Sequence, residues 1–187
     1  MTCSVYGAQF LLDALYNACD ANYALHLLTK TDDRSWYNML RAGSTMTMEA
    51  WDNKCKPNQD WNHAWGSAPA NVIPMKLLGV EPLEPSFSIV SIKPQIDRLD
   101  WVDALVPTIR GGIRMYIENK KEHYRLQLTL PANMKAKVYL PFSSREYSIT
   151  DNGKYIRPMP DYDHKSYMYL GMVGSVFHQF EALPDVK

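Results

Sequence analysis

Neither sign of charge predominates in this sequence: Lys and Arg number 20, Asp and Glu number 20, and the formal net charge is +0. Without a basic field the chain has nothing with which to hold nucleic acid or an anionic membrane surface. Cysteine is scarce. Cys3, Cys19 and Cys55 are odd in number and lack the paired spacing of a zinc site or a disulfide framework, so they read as ordinary free thiols. The five histidines contain no His-x-x-x-His pair, so no metal set emerges, and there is no Gly-rich phosphate loop or Gly-x-Ser-x-Gly elbow. Gly111-Gly112 reads as a turn or bulge between strands. No stretch approaches the ~18 apolar residues of a membrane span. The first residues have no basic region, and Gln9 and Asp13 interrupt their apolar run, which excludes a signal peptide there.

What the chain does have is aromatic surface beside acids and amides. Gly43-Ser-Thr-Met-Thr-Met-Glu49-Ala-Trp51-Asp52, followed by Asp60-Trp61-Asn62-His63-Ala64-Trp65-Gly66, gathers three tryptophans, carboxylates and a histidine in one short region. Indoles cover the apolar C–H face of a pyranose while carboxylates and amides meet its hydroxyls, so this composition suits a sugar-binding cleft.

The hydrophobic period divides the chain. In Ser4–Ala18, Gln9, Asp13 and Asn17 form one narrow polar stripe on a helix that is otherwise apolar and needs neighbours on several sides. Asp20 is placed to cap a second helix ending near Lys30. Asp32 or Asp33 is placed to cap a third, which carries Trp36 as a packing residue and stops at Gly43. A fourth helical run covers His63–Leu78, broken near Pro69 and Pro74 and ended by Gly79. Short connections imply antiparallel neighbours. Glu81-Pro-Leu-Glu-Pro85 reads as a stiff linker and boundary. Beyond it Ile113/Met115/Ile117, Leu126/Leu128/Leu130 and Ala136/Val138/Leu140 alternate as half-buried antiparallel strands, and Asp151-Asn-Gly153 is a hairpin turn. The expected fold class is α+β: helices over residues 1–80, a linker at 81–85, then a β-sandwich over 86–187. Helices this apolar require a cover from the sandwich, from a second copy of the chain or from further helices absent here, and a mixture of the last two is expected.

Read from spacing alone, Glu49 is more readily a surface glutamate than a catalytic one, and His63 more readily a core histidine. Trp51 and Trp65 divide evenly between core and binding wall. Thr45, Thr47 and Glu49 alternate with Met46, Met48 and Ala50, so an extended segment would turn Glu49 to one face and the methionines to the other. Asp161-Tyr-Asp163-His164 suits a calcium or sugar contact but reads first as a solvated loop.

Ser35-Trp36-Tyr37-Asn38-Met39, the Glu49 segment, Asn62-His63-Ala64-Trp65-Gly66-Ser67-Ala68-Pro69, Pro107-Thr108-Ile109-Arg110-Gly111 and Leu130-Pro131-Ala132-Asn133 together resemble the C-terminal part of bacterial α-L-rhamnosidases of glycoside hydrolase family 78. The resemblance implies the last helices of an (α/α)₆ barrel followed by the closing β-sandwich. It implies hydrolysis of terminal α-L-rhamnosides with inversion, a rhamnose-containing carbohydrate as partner and no cofactor. Glu49 matches the family's general base, and His63 a sugar contact. Asn62, Trp51, Trp65 and Asp52 are the further candidate substrate contacts. The acidic motif that carries the family's general acid has no counterpart here, and neither Asp52 nor Asp60 is expected to replace it. Three other expectations accompany this reading. The alternative function is a non-catalytic carbohydrate-binding or accessory module. Exposed barrel helices suit a homo-oligomer. A parent enzyme of this kind could be periplasmic, secreted or cytoplasmic.

Overall fold

The computed structural model describes residues 1–141, 147–160 and 166–184, so Asp161-Tyr-Asp163-His164 lies outside the described residues. The chain divides into two compact units, Met1–Leu77 and Leu78–Lys187. The described residues contain no helix long and apolar enough to cross a membrane, and no two of their cysteines are joined.

The first unit is helical. Helix α1 (Gly7–Asn17) buries Ala8, Leu12 and Tyr16 on one face. Helix α2 (Ala21–Leu28) begins where the Asp20 side chain accepts from the Tyr23 amide, the cap its sequence predicts. Helix α3 (Trp36–Arg41) differs from expectation at its cap. Ser35, with an extended backbone, accepts from the Asn38 amide, while Asp32 instead accepts from the Arg34 amide. Ser35 wins because it also donates to the Asp32 carbonyl and is fully buried, a place that a carboxylate could not occupy cheaply. Gly43 follows with φ +89°, the left-handed conformation that ends a helix. The expected fourth run is broken as the prolines require. A 3₁₀ turn (Ala64–Gly66) precedes helix α4 (Ala68–Val72), which has Pro69 in its first turn, and a π-helical turn (Ile73–Leu77) follows.

The second unit is a β-sandwich. Its strands are β1 (Val80–Pro82), β2 (Ile89–Ile92), β3 (Trp101–Thr108), β4 (Gly111–Lys120), β5 (His123–Leu130), β6 (Lys135–Leu140), β7 (Tyr147–Asp151), β8 (Lys154–Ile156), β9 (Met159–Pro160), β10 (Met168–Val173) and β11 (Val176–Pro184). Among the described residues they form a five-stranded sheet, β1-β2-β6-β10-β9, and a six-stranded sheet, β3-β4-β5-β11-β7-β8. The predicted alternation is present: Ile113, Met115 and Ile117 on β4, Leu126, Leu128 and Leu130 on β5, and Ala136, Val138 and Leu140 on β6 are all buried. Asn152 (φ +49°) and Gly153 (φ +76°) turn the β7–β8 hairpin as Asn-Gly does. Two features depart from the sequence reading. Residues 80–82, expected as the end of the helical part and the start of the 81–85 linker, are already strand, paired with β2. And β2 runs parallel to β6 in a sheet expected to be antiparallel throughout, because residues 93–134 leave and return between them.

Candidate active site

The site is assembled from a chain reversal inside the first unit. After Gly43 the chain passes along residues 44–51 without regular strand pairing, yet 47–49 is stitched to 60–63. The Glu49 amide donates to the Asp60 carbonyl (2.9 Å), the His63 amide to the Thr47 carbonyl (2.8 Å), and the Thr47 hydroxyl to the His63 carbonyl (2.8 Å). Gly66 is required where these segments close, since a Cβ there would lie 2.8 Å from the Met48 carbonyl oxygen and 2.9 Å from Thr47 Cβ. Met48 is buried, with its amide on Met39 Sδ, which turns Glu49 to the other side as the alternation predicts. Met46 does not follow that pattern and stands exposed.

Glu49 holds its carboxylate at the rim with its side chain 14% exposed. One oxygen accepts from the Lys56 ammonium and the other from the Asp60 amide (3.3 Å). These two donors, Lys56 foremost, hold the Glu49 carboxyl below its ordinary pKa, so it is ionised over the neutral range. Lys56 reaches back because residues 52–56 form a tight turn. The Asp52 carbonyl accepts from the Cys55 and Lys56 amides, and its side chain from the Lys54 amide and Asn38 Nδ2. The Lys54 amide, then Asn38, lower the Asp52 pKa. Asp52 is thus committed to organising this turn.

His63 lies beside the carboxylate. Its Nδ1 is 3.5 Å from the Asp60 carboxylate, and its ring meets Trp65 at a centroid distance of 4.1 Å. Trp65 is 44% exposed and continues into Tyr6, which in turn meets Phe10 edge-on, each step 5.5 Å between centroids. Trp61 is also exposed, its indole N–H donating to Asn53 Oδ1, and Asn62 is exposed beside it. Trp51 is elsewhere. It is 3% exposed, its indole N–H donates to the Cys3 carbonyl, and Trp36 packs on it edge-on at 5.1 Å. A ring so enclosed has no face left for a ligand, so Trp51 belongs to the core rather than to a binding wall. Trp36, expected to pack, does so, and donates to the Gly66 carbonyl.

Glu49, Asp60 and His63 therefore converge, while Trp65 and Asn62 border them and Asp52 and Trp51 serve the scaffold. One ligand atom from each of Glu49, Asp60 and His63 lies within 4.8 Å of the others, a set able to hold a divalent cation once the Lys56 ammonium leaves Glu49. Sequence reasoning missed Lys56. Its only signal was the turn-forming Asp52-Asn-Lys-Cys-Lys56-Pro run, which says that the chain reverses but not where the ammonium lands.

Comparison with known proteins gives a consistent set of matches. Residues 1–77 match the family model of the bacterial alpha-L-rhamnosidase 6 hairpin glycosidase domain, and residues 79–155 that of the bacterial alpha-L-rhamnosidase C-terminal domain. The chain is 25% identical over 155 residues to an alpha-L-rhamnosidase of Formosa agariphila, spanning 78% of this chain and 17% of that protein. It shares the fold of alpha-L-rhamnosidase from Dictyoglumus thermophilum (TM-score 0.82, 17% identity, 96% of this chain and 21% of that one). It also shares that of the Streptomyces avermitilis alpha-L-rhamnosidase complexed with L-rhamnose (TM-score 0.77, 20% identity, 97% of this chain and 17% of that one). The chain spans 17–21% of the length of these relatives.

Proposed function

The chain belongs to the bacterial α-L-rhamnosidase family, and from that premise we propose that it carries the base side of a glycoside-hydrolysing site acting on terminal α-L-rhamnosides with inversion. Glu49 is the general base. It takes a proton from a water molecule as that water attacks the anomeric carbon, and the second carboxyl group needed to protonate the leaving oxygen comes from a part of the catalytic domain outside these 187 residues. The observation that carries this reading is the ionised Glu49 carboxylate on a rim shared with His63 and the exposed face of Trp65. A carboxylate held below its ordinary pKa by a lysine suits a base that must stay ionised while its partner stays protonated.

Asp60 does not suit the role of the acid. An inverting pair stands about 6.5–9.5 Å apart across the sugar with a water between. Asp60 converges with Glu49 within 4.8 Å on the same rim, and its own backbone amide donates to Glu49. His63, Trp65 and Asn62 form one wall of the sugar site, with the ring edge of His63 toward hydroxyls and the Trp65 indole toward the C–H face. The partner is a rhamnose-containing carbohydrate, and the mechanism uses no cofactor.

Hydrolysis of p-nitrophenyl α-L-rhamnoside by the purified chain, beside the same chain with Glu49→Gln, tests this assignment. General acid help contributes about 10²–10⁴ in rate, so the expected result is release no faster than that of Glu49→Gln. Release well above that background would show both carboxyl groups to be present, and the missing-acid assignment would be wrong.

A further inference from the structure

The outer face of the six-stranded sheet has a composition that the reading of Glu49 does not use. Pairing register places Trp101, Glu118, Arg125, Glu181, Thr150 and Tyr155 side by side in one row across β3, β4, β5, β11, β7 and β8. Their neighbours Ile117, Leu126 and Phe180 are buried, so this row points outward. Trp101 and Tyr155 stand at its two ends, each 62% exposed. Five interstrand steps of about 4.8 Å separate them, roughly 24 Å, which is the reach of several pyranose rings.

Between the aromatic ends lies a hydrogen-bonding floor. Arg125 donates to Glu118 (2.6 Å), which also accepts from Tyr116 (3.2 Å); Gln127 donates to Gln179 (2.8 Å), which donates to Glu181 (3.1 Å). These bonds fix the side chains in place, and each amide and carboxylate retains capacity for a further partner. Arg125 pairs with Glu118 and Arg114 with Asp103 (2.8 Å), while the Glu181 carboxylate accepts from Gln179, so most of the charge in the row is offset on the face itself. Exposed rings for apolar ring faces, fixed amides for hydroxyls and largely offset charge complement a neutral polyhydroxylated chain. A protein partner would more commonly seat on an apolar centre with a polar rim. Here the row itself is polar at its centre and aromatic at its ends, with Leu105, Phe177 and Leu183 standing exposed beside it.

We propose that this sheet face is a docking surface for a neutral oligo- or polysaccharide, held between Trp101 and Tyr155. It lies in the unit Leu78–Lys187, whereas Glu49 belongs to Met1–Leu77. Affinity electrophoresis of the full chain through gels containing a β-glucan, a galactomannan, an arabinogalactan or an acidic pectin tests it. The expected result is retardation by at least one neutral polymer, with the dissociation constant raised at least tenfold by Trp101→Ala combined with Tyr155→Ala and unchanged by Glu49→Gln. Both truncated rings are exposed, so the double variant should keep its unfolding midpoint, and Gln127→Ala supplies a second, polar readout of the same face. Unchanged mobility in every neutral gel would overturn the proposal, as would equal retardation of the double variant or retardation by pectin alone. None of these outcomes bears on whether Glu49 is a base.

Discussion

Glu49 and Lys56 form an ion pair at the centre of the proposed site. Removing the ammonium with Lys56→Met takes away the largest influence that holds the Glu49 carboxyl down. Its pKa should rise toward the ordinary carboxylate value, read from the side-chain carboxyl ¹³C shift against pH, while Lys56→Arg should restore most of the depression. An unchanged titration in Lys56→Met would mean that the ion pair does not persist in solution. The sign for stability follows from the same direction. With the folded pKa below the unfolded one, Glu49 and Asp52 stabilise the fold above the unfolded carboxylate pKa, and that contribution is lost as pH falls through the folded values. Thermal midpoints should therefore hold level from neutrality downward and fall in the acid range, more shallowly in Asp52→Asn. The tryptophans divide in the same residue-by-residue way. Trp51→Ala opens a core cavity and should cost about 3–5 kcal/mol in chemical denaturation, whereas Trp65→Ala should leave the fold nearly as stable and act on sugar binding. Equal losses would contradict the placement of Trp51. Nothing in the sequence separates these two rings, since Trp51 lies two residues after Glu49 and Trp65 two residues after His63. Only the closure of the chain over Cys3 and Trp36 decides between them.

Among the elements, local rules were legible wherever a single residue could satisfy them. Asp20 was the one candidate for the α2 cap, and it caps. Asp32, Asp33 and Ser35 all had the chemistry to cap α3, and the choice fell to the residue that could be buried there. Ser35→Ala should cost about 1 kcal/mol, and Asp33→Ala much less, by urea denaturation; the reverse order would contradict the cap. Strand alternation gave β4, β5 and β6 because each hides one face. It could not give the parallel pairing of β2 with β6, which depends on how a long excursion returns. Gly79 sits at φ +69°, where a Cβ would overlap the Lys93 carbonyl. Gly79→Ala should lose about 3 kcal/mol or more, since a strained backbone conformation of this kind alone costs about 1–3 kcal/mol, and soluble yield with an unfolding midpoint would show it.

For the whole molecule, the governing fact is that these 187 residues span 17–21% of relatives that share their fold. The class of fold was readable because two hydrophobic periods meet near residue 80. The site was readable only in part, since the sequence marks Glu49 and His63 as candidates but not the Lys56 and Asp60 contacts that hold the Glu49 carboxylate. Tyr6, Phe10, Tyr37 and Leu40 are large apolar side chains left exposed in the first unit. If these side chains support the expected self-association, sedimentation velocity should show a mass that rises with concentration and that Phe10→Gln with Leu40→Gln reduces. A monomer at all concentrations would remove that expectation.

The central claim is that Glu49, His63 and Trp65 are the base side of a rhamnose site. Its most direct measurement is titration of the ¹⁵N-labelled chain with L-rhamnose, following the five indole N–H resonances of its five tryptophans. The account predicts that the Trp65 signal moves, the signals of buried Trp51 and of Trp36 packed on it stay, and the movement weakens in Glu49→Gln. A Trp65 signal indifferent to L-rhamnose up to high concentration would contradict it.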